Sequence, residues 1–201
     1  MKFILGRKLN MSQVFDKQGK VIPVSLIEAG PCFVTQIKTI GPSDSQGGDG
    51  YEAVQIGFEK LKPKKIRKTQ KQKPFRCLRE FEGDISKYKT GQKIDVSVFQ
   101  EGDLVKIAGI SKGKGFAGAV KKWGMAGGPA SHGSKHHRGL GSTGSRFPQR
   151  VIKGRKMPGR MGNERKTIKN LKIIKVDLKN NLLAVKGALP GRIGTLLEIR
   201  G

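Results

Sequence analysis

LVKIAGISKGKGFAGAVKKWGM (Leu104 to Met125) decides between two folds. Its first seven residues, LVKIAGI (Leu104 to Ile110), read as a strand. GKGFAGAV (Gly113 to Val120) follows and matches both G-x-G-x-x-G and the kinase-like G-x-G-x-x-G-x-V, and AGAVKKW reads as the opening of a helix. Strand, glycine turn and helix would begin a nucleotide-binding α/β unit. A dinucleotide site, however, needs an acid about 20 residues on to hold the ribose hydroxyl. Here the next acid after Asp103 is Glu164. A kinase needs catalytic and metal-binding Asp residues and a larger lobe than the roughly 80 residues that remain. The alternative suits the chemistry better. Glycines let backbone amides approach phosphate closely, while Lys112, Lys114, Lys121 and Lys122 supply charge. The plainer reading is a flexible turn with solvated lysines.

Outward from this stretch, strand signals flank it on both sides. KVIPVSLIEA (Lys20 to Ala29), CFVTQIKT (Cys32 to Thr39), YEAVQIGF (Tyr51 to Phe58) and KIDVSVF (Lys93 to Phe99) precede it, with Gly-Pro, Gly-Gly and Asp-Gly punctuation. LKIIKVDL (Leu171 to Leu178), NLLAVKGA (Asn181 to Ala188) and TLLEIR (Thr195 to Arg200) follow it. Gly30-Pro31, Lys179-Asn180 and Pro190-Gly191 are turns. Many short strands with turn chemistry between them predict a mainly β protein built on a small antiparallel barrel. The barrel domain is drawn from residues 1–110 and 165–201, with 111–164 inserted as a long, basic, glycine-rich extension. From Lys60 to Arg79 there are ten basic residues and no acid, and Pro63 and Pro74 interrupt any helix. That segment is assigned as a basic loop, 60–79, with Lys64, Lys65, Arg67 and Lys68 as candidate RNA contacts.

The charge balance says what such an extension meets. Forty-one Lys and Arg against fifteen Asp and Glu leave +26, with a pI near 10.4. A charge that large repels itself unless a polyanion shares it. Hydrophobic content of 35% is low for a chain that is all packed core. An anionic membrane is the weaker partner, because the basic segment has no amphipathic apolar face. Phe3-Ile4-Leu5 is too short for a signal core and no stretch approaches a membrane span, so the chain is expected to be cytoplasmic. Cys32 and Cys77 have no metal-type spacing and are expected as buried, reduced thiols.

Between Lys112 and Lys169 the chain carries fifteen Lys and Arg, one acid and thirteen glycines. HGSKHHRGLGSTGSRFPQR (His132 to Arg150) lies at its middle. A disordered tail would normally be terminal, whereas this segment is internal and laced with Trp, Phe, Met, Val and Ile. It is therefore read as an arm that folds around RNA instead of around itself. The candidate RNA-binding side chains within it are His132, Lys135, His136, His137, Arg138, Arg146, Arg150, Lys153, Arg155, Lys156, Arg160 and Arg165. The histidines stack on bases or bond phosphate, or else are exposed spectators. A metal is disfavoured by the missing fourth ligand and the positive field. Trp123 reads either as core at the arm's base or as a stacking surface for a base. No nucleophile elbow or paired acid marks catalysis, so no enzyme, cofactor or small-molecule substrate is expected.

The blocks GISKGKGFAGAVKKWGM, SHGSKHHRGLGSTGSRFP, KGRKMPGRMGNERKT and NLLAVKGALPG, and the opening ILGRKLNMSQVFDKQGKVIPVSLIEAGPC, resemble the bacterial form of ribosomal protein L-three in order and spacing. The likeness spans essentially the whole chain. It implies a translation-factor-like barrel, direct binding to large-subunit ribosomal RNA near its 3′ domain, an early role in subunit assembly, and contacts with neighbouring ribosomal proteins. It also implies a loop running toward the peptidyl-transferase centre, with its stem at Lys112–Trp123 and Arg155–Arg165 and its far end at Gly139–Arg150. Two positions depart from the family: Lys122 replaces a common Arg and forfeits the bidentate fork, and Lys106 replaces a common acid. The competing reading is an RNA-binding or assembly factor that leaves the mature particle.

Overall fold

Leu104–Ile110 is a strand with the limits its sequence predicts. The computed structural model describes residues 2–40, 49–83 and 85–201. Its strands are β1 (Phe3–Phe15), β2 (Val21–Ala29), β3 (Cys32–Lys38), β4 (Ala53–Lys60), β5 (Phe75–Phe81), β6 (Lys93–Ile94), β7 (Leu104–Ile110), β8 (Phe116–Ala117), β9 (Gly159–Arg160), β10 (Arg165–Asp177), β11 (Leu182–Lys186) and β12 (Leu196–Arg200). One short helix, α1 (Ala119–Trp123), lies between β8 and β9. The Gly47-Gly48 punctuation lies outside the described residues.

The chain divides into two compact units, Met1–Ile110 with Arg165–Gly201, and Ser111–Glu164. In the first, β1, β12, β7, β10, β11 and β2 close in that order into an antiparallel barrel. Alternation explains the closure. Val105 and Ile107 of β7 and Leu197 and Ile199 of β12 point inward, with Ile199 opposite Ile107. Truncating such a side chain to alanine costs about 2–5 kcal/mol. Closure also leaves the barrel strands no free edge along which to aggregate.

The first half of the chain does not all enter the barrel, which corrects the single-barrel expectation. β5, β4, β3 and β6 form a separate antiparallel sheet, and its apolar face completes one core with the barrel. Phe81 of β5 stacks on Phe3 of β1, with ring centroids 4.7 Å apart, and Val34, Val54, Ile56 and Phe58 join the same buried cluster. A second correction concerns the basic loop 60–79. Two 3-10 turns, Pro63–Lys65 and Lys68–Gln70, occupy its first part. Phe75–Phe81 is a strand, because β4 offers it a paired edge from Val54↔Phe81 to Lys60↔Phe75. A third concerns KIDVSVF. Only Lys93–Ile94 pairs, with Phe33 and Cys32, and Val96–Val98 turns as a 3-10 segment that buries Val96 and Phe99 in the core.

The cysteines are unbonded. Cys32 is buried and donates to the Leu5 carbonyl at 3.6 Å, and burial pushes its thiol up to about 12. Cys77 is half-buried, so the expectation of two fully buried thiols holds for Cys32 alone.

Candidate nucleic-acid interface

The arm, Ser111–Glu164, starts as a hairpin. Ser111 N–H donates to the Glu164 carbonyl at 2.9 Å, Lys114 N–H to Met161, and Met161 N–H to Gly115. Phe116 and Ala117 then pair with Arg160 and Gly159. The glycine motif therefore builds the base of a hairpin, and α1 after it has five residues. This is not the strand-to-helix crossover that cradles a dinucleotide. Gly162 is required here on two counts: its φ is +74°, and a Cβ would lie 2.1 Å from the Lys112 carbonyl oxygen.

Beyond the base, backbone contacts replace a core. Only Ala117 and Ala119 are buried between Ser111 and Glu164. Gly128 N–H donates to the His137 carbonyl at 3.0 Å, and a Cβ on Gly128 would meet the His136 oxygen at 2.4 Å. The chain crosses itself there with room for no side chain. Arg155 donates to the Ser142 carbonyl at 2.7 Å and ties the returning segment to the tip.

This scaffold leaves the predicted contacts facing outward. Lys112, Lys114, Lys121, His132, Lys135, His136, His137, Arg138, Arg146, Arg150, Lys153, Arg155, Lys156 and Arg160 are exposed, and Lys122 is half-buried with its ammonium 5.1 Å from the Trp123 ring centre. Trp123 is 43% exposed and its indole N–H donates to the Met157 carbonyl at 2.8 Å. It thus pins α1 to the segment just before β9 while keeping part of its surface open. His137 is not a free donor, since its Nδ1 lies 2.8 Å from the Pro129 carbonyl oxygen. His132, His136 and His137 join no group of three or more metal-ligating side chains among the described residues. Twelve Lys and Arg against Glu164 give the arm +11. Nothing in it neutralises that charge.

Lys64, Lys65, Arg67 and Lys68 are exposed on the 3-10 turns of the other unit, as is Arg165 at the start of β10. Lys106, Lys169 and Arg200, outside the candidate contacts read from the sequence, lie on three adjacent barrel strands. The three are far apart along the chain, and only strand register brings them together.

The model for the family described as Ribosomal protein L3 matches residues 84–189. The large ribosomal subunit protein uL3 of Petrotoga mobilis is 49% identical over 209 residues, covering 100% of this chain and 95% of the relative. The protein of the same name from Thermosipho africanus is 51% identical, covering 100% and 98%. That from Carboxydothermus hydrogenoformans is 50% identical, covering 99% and 96%. The chain belongs to the ribosomal protein L3 family. The L3 family match runs through β7, the entire arm, β10 and β11, so the coreless segment lies inside the part that carries the likeness.

Proposed function

We propose that this chain is a structural constituent of the large ribosomal subunit, working in the cytoplasm, and that its arm binds large-subunit ribosomal RNA directly. The observation that carries the reading is the arm's charge set beside its burial: +11, with two buried side chains. Ordering a residue costs about 1–2 kcal/mol in backbone entropy, and two alanines offset very little of that. Phosphates supply what burial does not. Each one neutralised releases counterions, and water-excluded contacts hold the glycine-rich backbone in place. The names of the relatives support the same particle.

The reading extends to the finer roles that the family likeness implies. The RNA contacted includes the 3′ domain, with neighbouring large-subunit proteins beside it, and binding is early enough to nucleate assembly. The far end, Gly139–Arg150, runs toward the peptidyl-transferase centre. The protein itself performs no chemistry and holds RNA in a working shape.

The test is the salt dependence of binding to an in vitro transcript of the 3′ domain. If about 6–10 phosphates are neutralised, affinity falls about 10³–10⁵-fold between 50 and 200 mM salt. Replacing Arg155, Lys156 and Arg160 with Gln flattens that slope. Salt-independent affinity would contradict a phosphate-based interface.

A further inference from the structure

Trp123 is the only tryptophan in the chain, and the arm has no core for it to join. The helix that carries it, α1, has little of its own to stay helical. It has five residues, its N-cap Gly118 offers no side-chain hydrogen bond, and Ala119 is its one buried residue. An isolated helix that short is unstable in water, because nucleation fixes several residues for a single bond. Gly124 ends it at φ 68°, with its N–H donating to the Val120 carbonyl at 3.0 Å.

Two contacts hold α1 to the returning side of its own hairpin. The first is the indole N–H, which donates to the Met157 carbonyl at 2.8 Å. Met157 precedes Pro158 and lies outside the β8–β9 pairing, so this carbonyl is left open to a side-chain donor. The second is Lys122. A Cβ on Gly159 would come within 3.2 Å of its ammonium, which places that cation beside β9. The same ammonium lies over the Trp123 ring, 5.1 Å from its centre, and covers a face on which a base would stack. The indole bond joins residues 34 apart in sequence. Most of what it encloses is Gly124 to Lys153, where no side chain is buried.

We propose that Trp123 is a positioning residue for RNA binding: its indole latches the base of the coreless loop in the free protein, acting through the Met157 carbonyl and not by touching RNA. The inference rests on the RNA-binding reading above. Closing a loop costs entropy, and a latch that is already shut removes that cost from the binding step. With the latch open, only a fraction of molecules is ready to bind, and the apparent affinity falls by that fraction. The phosphates neutralised in the complex stay the same. The salt slope, which counts them, therefore does not change.

The experiment uses the full chain and the 3′-domain transcript, with Trp123→Phe, which keeps an apolar ring but has no N–H, beside Lys121→Gln/Lys122→Gln. Trp123→Phe should lose about three- to ten-fold in affinity, the size of one neutral hydrogen bond, at the parent's slope of log affinity against log salt. The lysine variant should instead flatten that slope by about 1.4–1.8, at roughly 0.7–0.9 for each lost phosphate contact. Parental affinity in Trp123→Phe overturns the latch, since a ring used only for stacking survives as Phe. A flattened slope in that variant means lost phosphate contacts and overturns it too. Two measurements on the parent stand even if the variant does not fold. Without RNA, the amides of Lys122 and Gly124, which donate to the Gly118 and Val120 carbonyls, should be protected from hydrogen exchange. Unprotected amides show that no latched helix exists before binding. Fluorescence from the single tryptophan should persist in the complex, whereas its near-complete quenching would reveal a stacked base and overturn the assignment. Absence of salt-dependent binding by the parent overturns the RNA reading as well.

Discussion

Glu59 is the residue where charge and backbone constrain each other most tightly. It sits at φ 58°, unusual for a side chain with a Cβ, and its carboxylate accepts from Arg7 Nη2 at 2.9 Å and from Arg76 at 3.4 Å. The hydrogen bond from Arg7 holds the Glu59 carboxyl below the usual carboxylate range, outweighing the opposing effect of burial. A depressed value means that the folded state releases the proton more readily than the unfolded one. The stability from this pair is therefore complete above the ordinary value of 4.5 and is lost as pH falls below it. Both side chains are about a quarter exposed, and screening limits the contribution to about 0.5–1 kcal/mol. Glu59→Gln should lower the melting temperature at neutral pH by a few degrees. It should also shrink the further drop between pH 5 and 3. An undiminished acid drop in the variant would place the titrating group elsewhere. None of this was legible in the sequence, where Arg7 and Glu59 are simply two charges on different strands.

At the scale of elements, alternation and turn chemistry were good guides wherever a strand has both of its edges paired. LVKIAGI, NLLAVKGA and TLLEIR became β7, β11 and β12: TLLEIR keeps the period of two that burial on one face enforces, and the other two carry short apolar runs bounded by turns. FRCLREF was hidden by its neighbours. Its cations and Pro74 read as loop, and strand identity came from the free edge of β4. KIDVSVF failed for the opposite reason: two pairs with β3 were the only pairing on offer, and the core drew Val96 and Phe99 inward instead. The arm shows the same logic at a larger size. From Gly124 to Lys153 no side chain is buried, so this stretch contributes nothing to either apolar layer. Deleting Gly124–Lys153 should leave a folded protein whose melting temperature differs from the parent's by no more than a few degrees. Circular dichroism of a soluble but unfolded truncation would show that the arm is part of the core.

For the whole molecule, a net charge of +26 points to a polyanionic partner before any element is placed. The +26 is spread over both units: with +11 in the arm, +15 remains for the rest of the chain. Sequence located the first of these charges well, because fifteen cations and thirteen glycines between Lys112 and Lys169 stand out in linear order. The second does not stand out in linear order. Lys106, Lys169 and Arg200 meet through the pairing of three strands, and no spacing along the chain encodes that register. In the proposed function, ribosomal RNA takes the place of the arm's missing core. The most direct measurement is ultraviolet crosslinking of purified large subunits containing this protein, with crosslinked peptides and nucleotides both identified. Abundant crosslinks are expected from residues 111–164 to large-subunit RNA, with those from Gly139–Arg150 falling on nucleotides of the peptidyl-transferase region. Subunits that contain the protein but yield crosslinks from the barrel alone, with an arm open to protease, would contradict it.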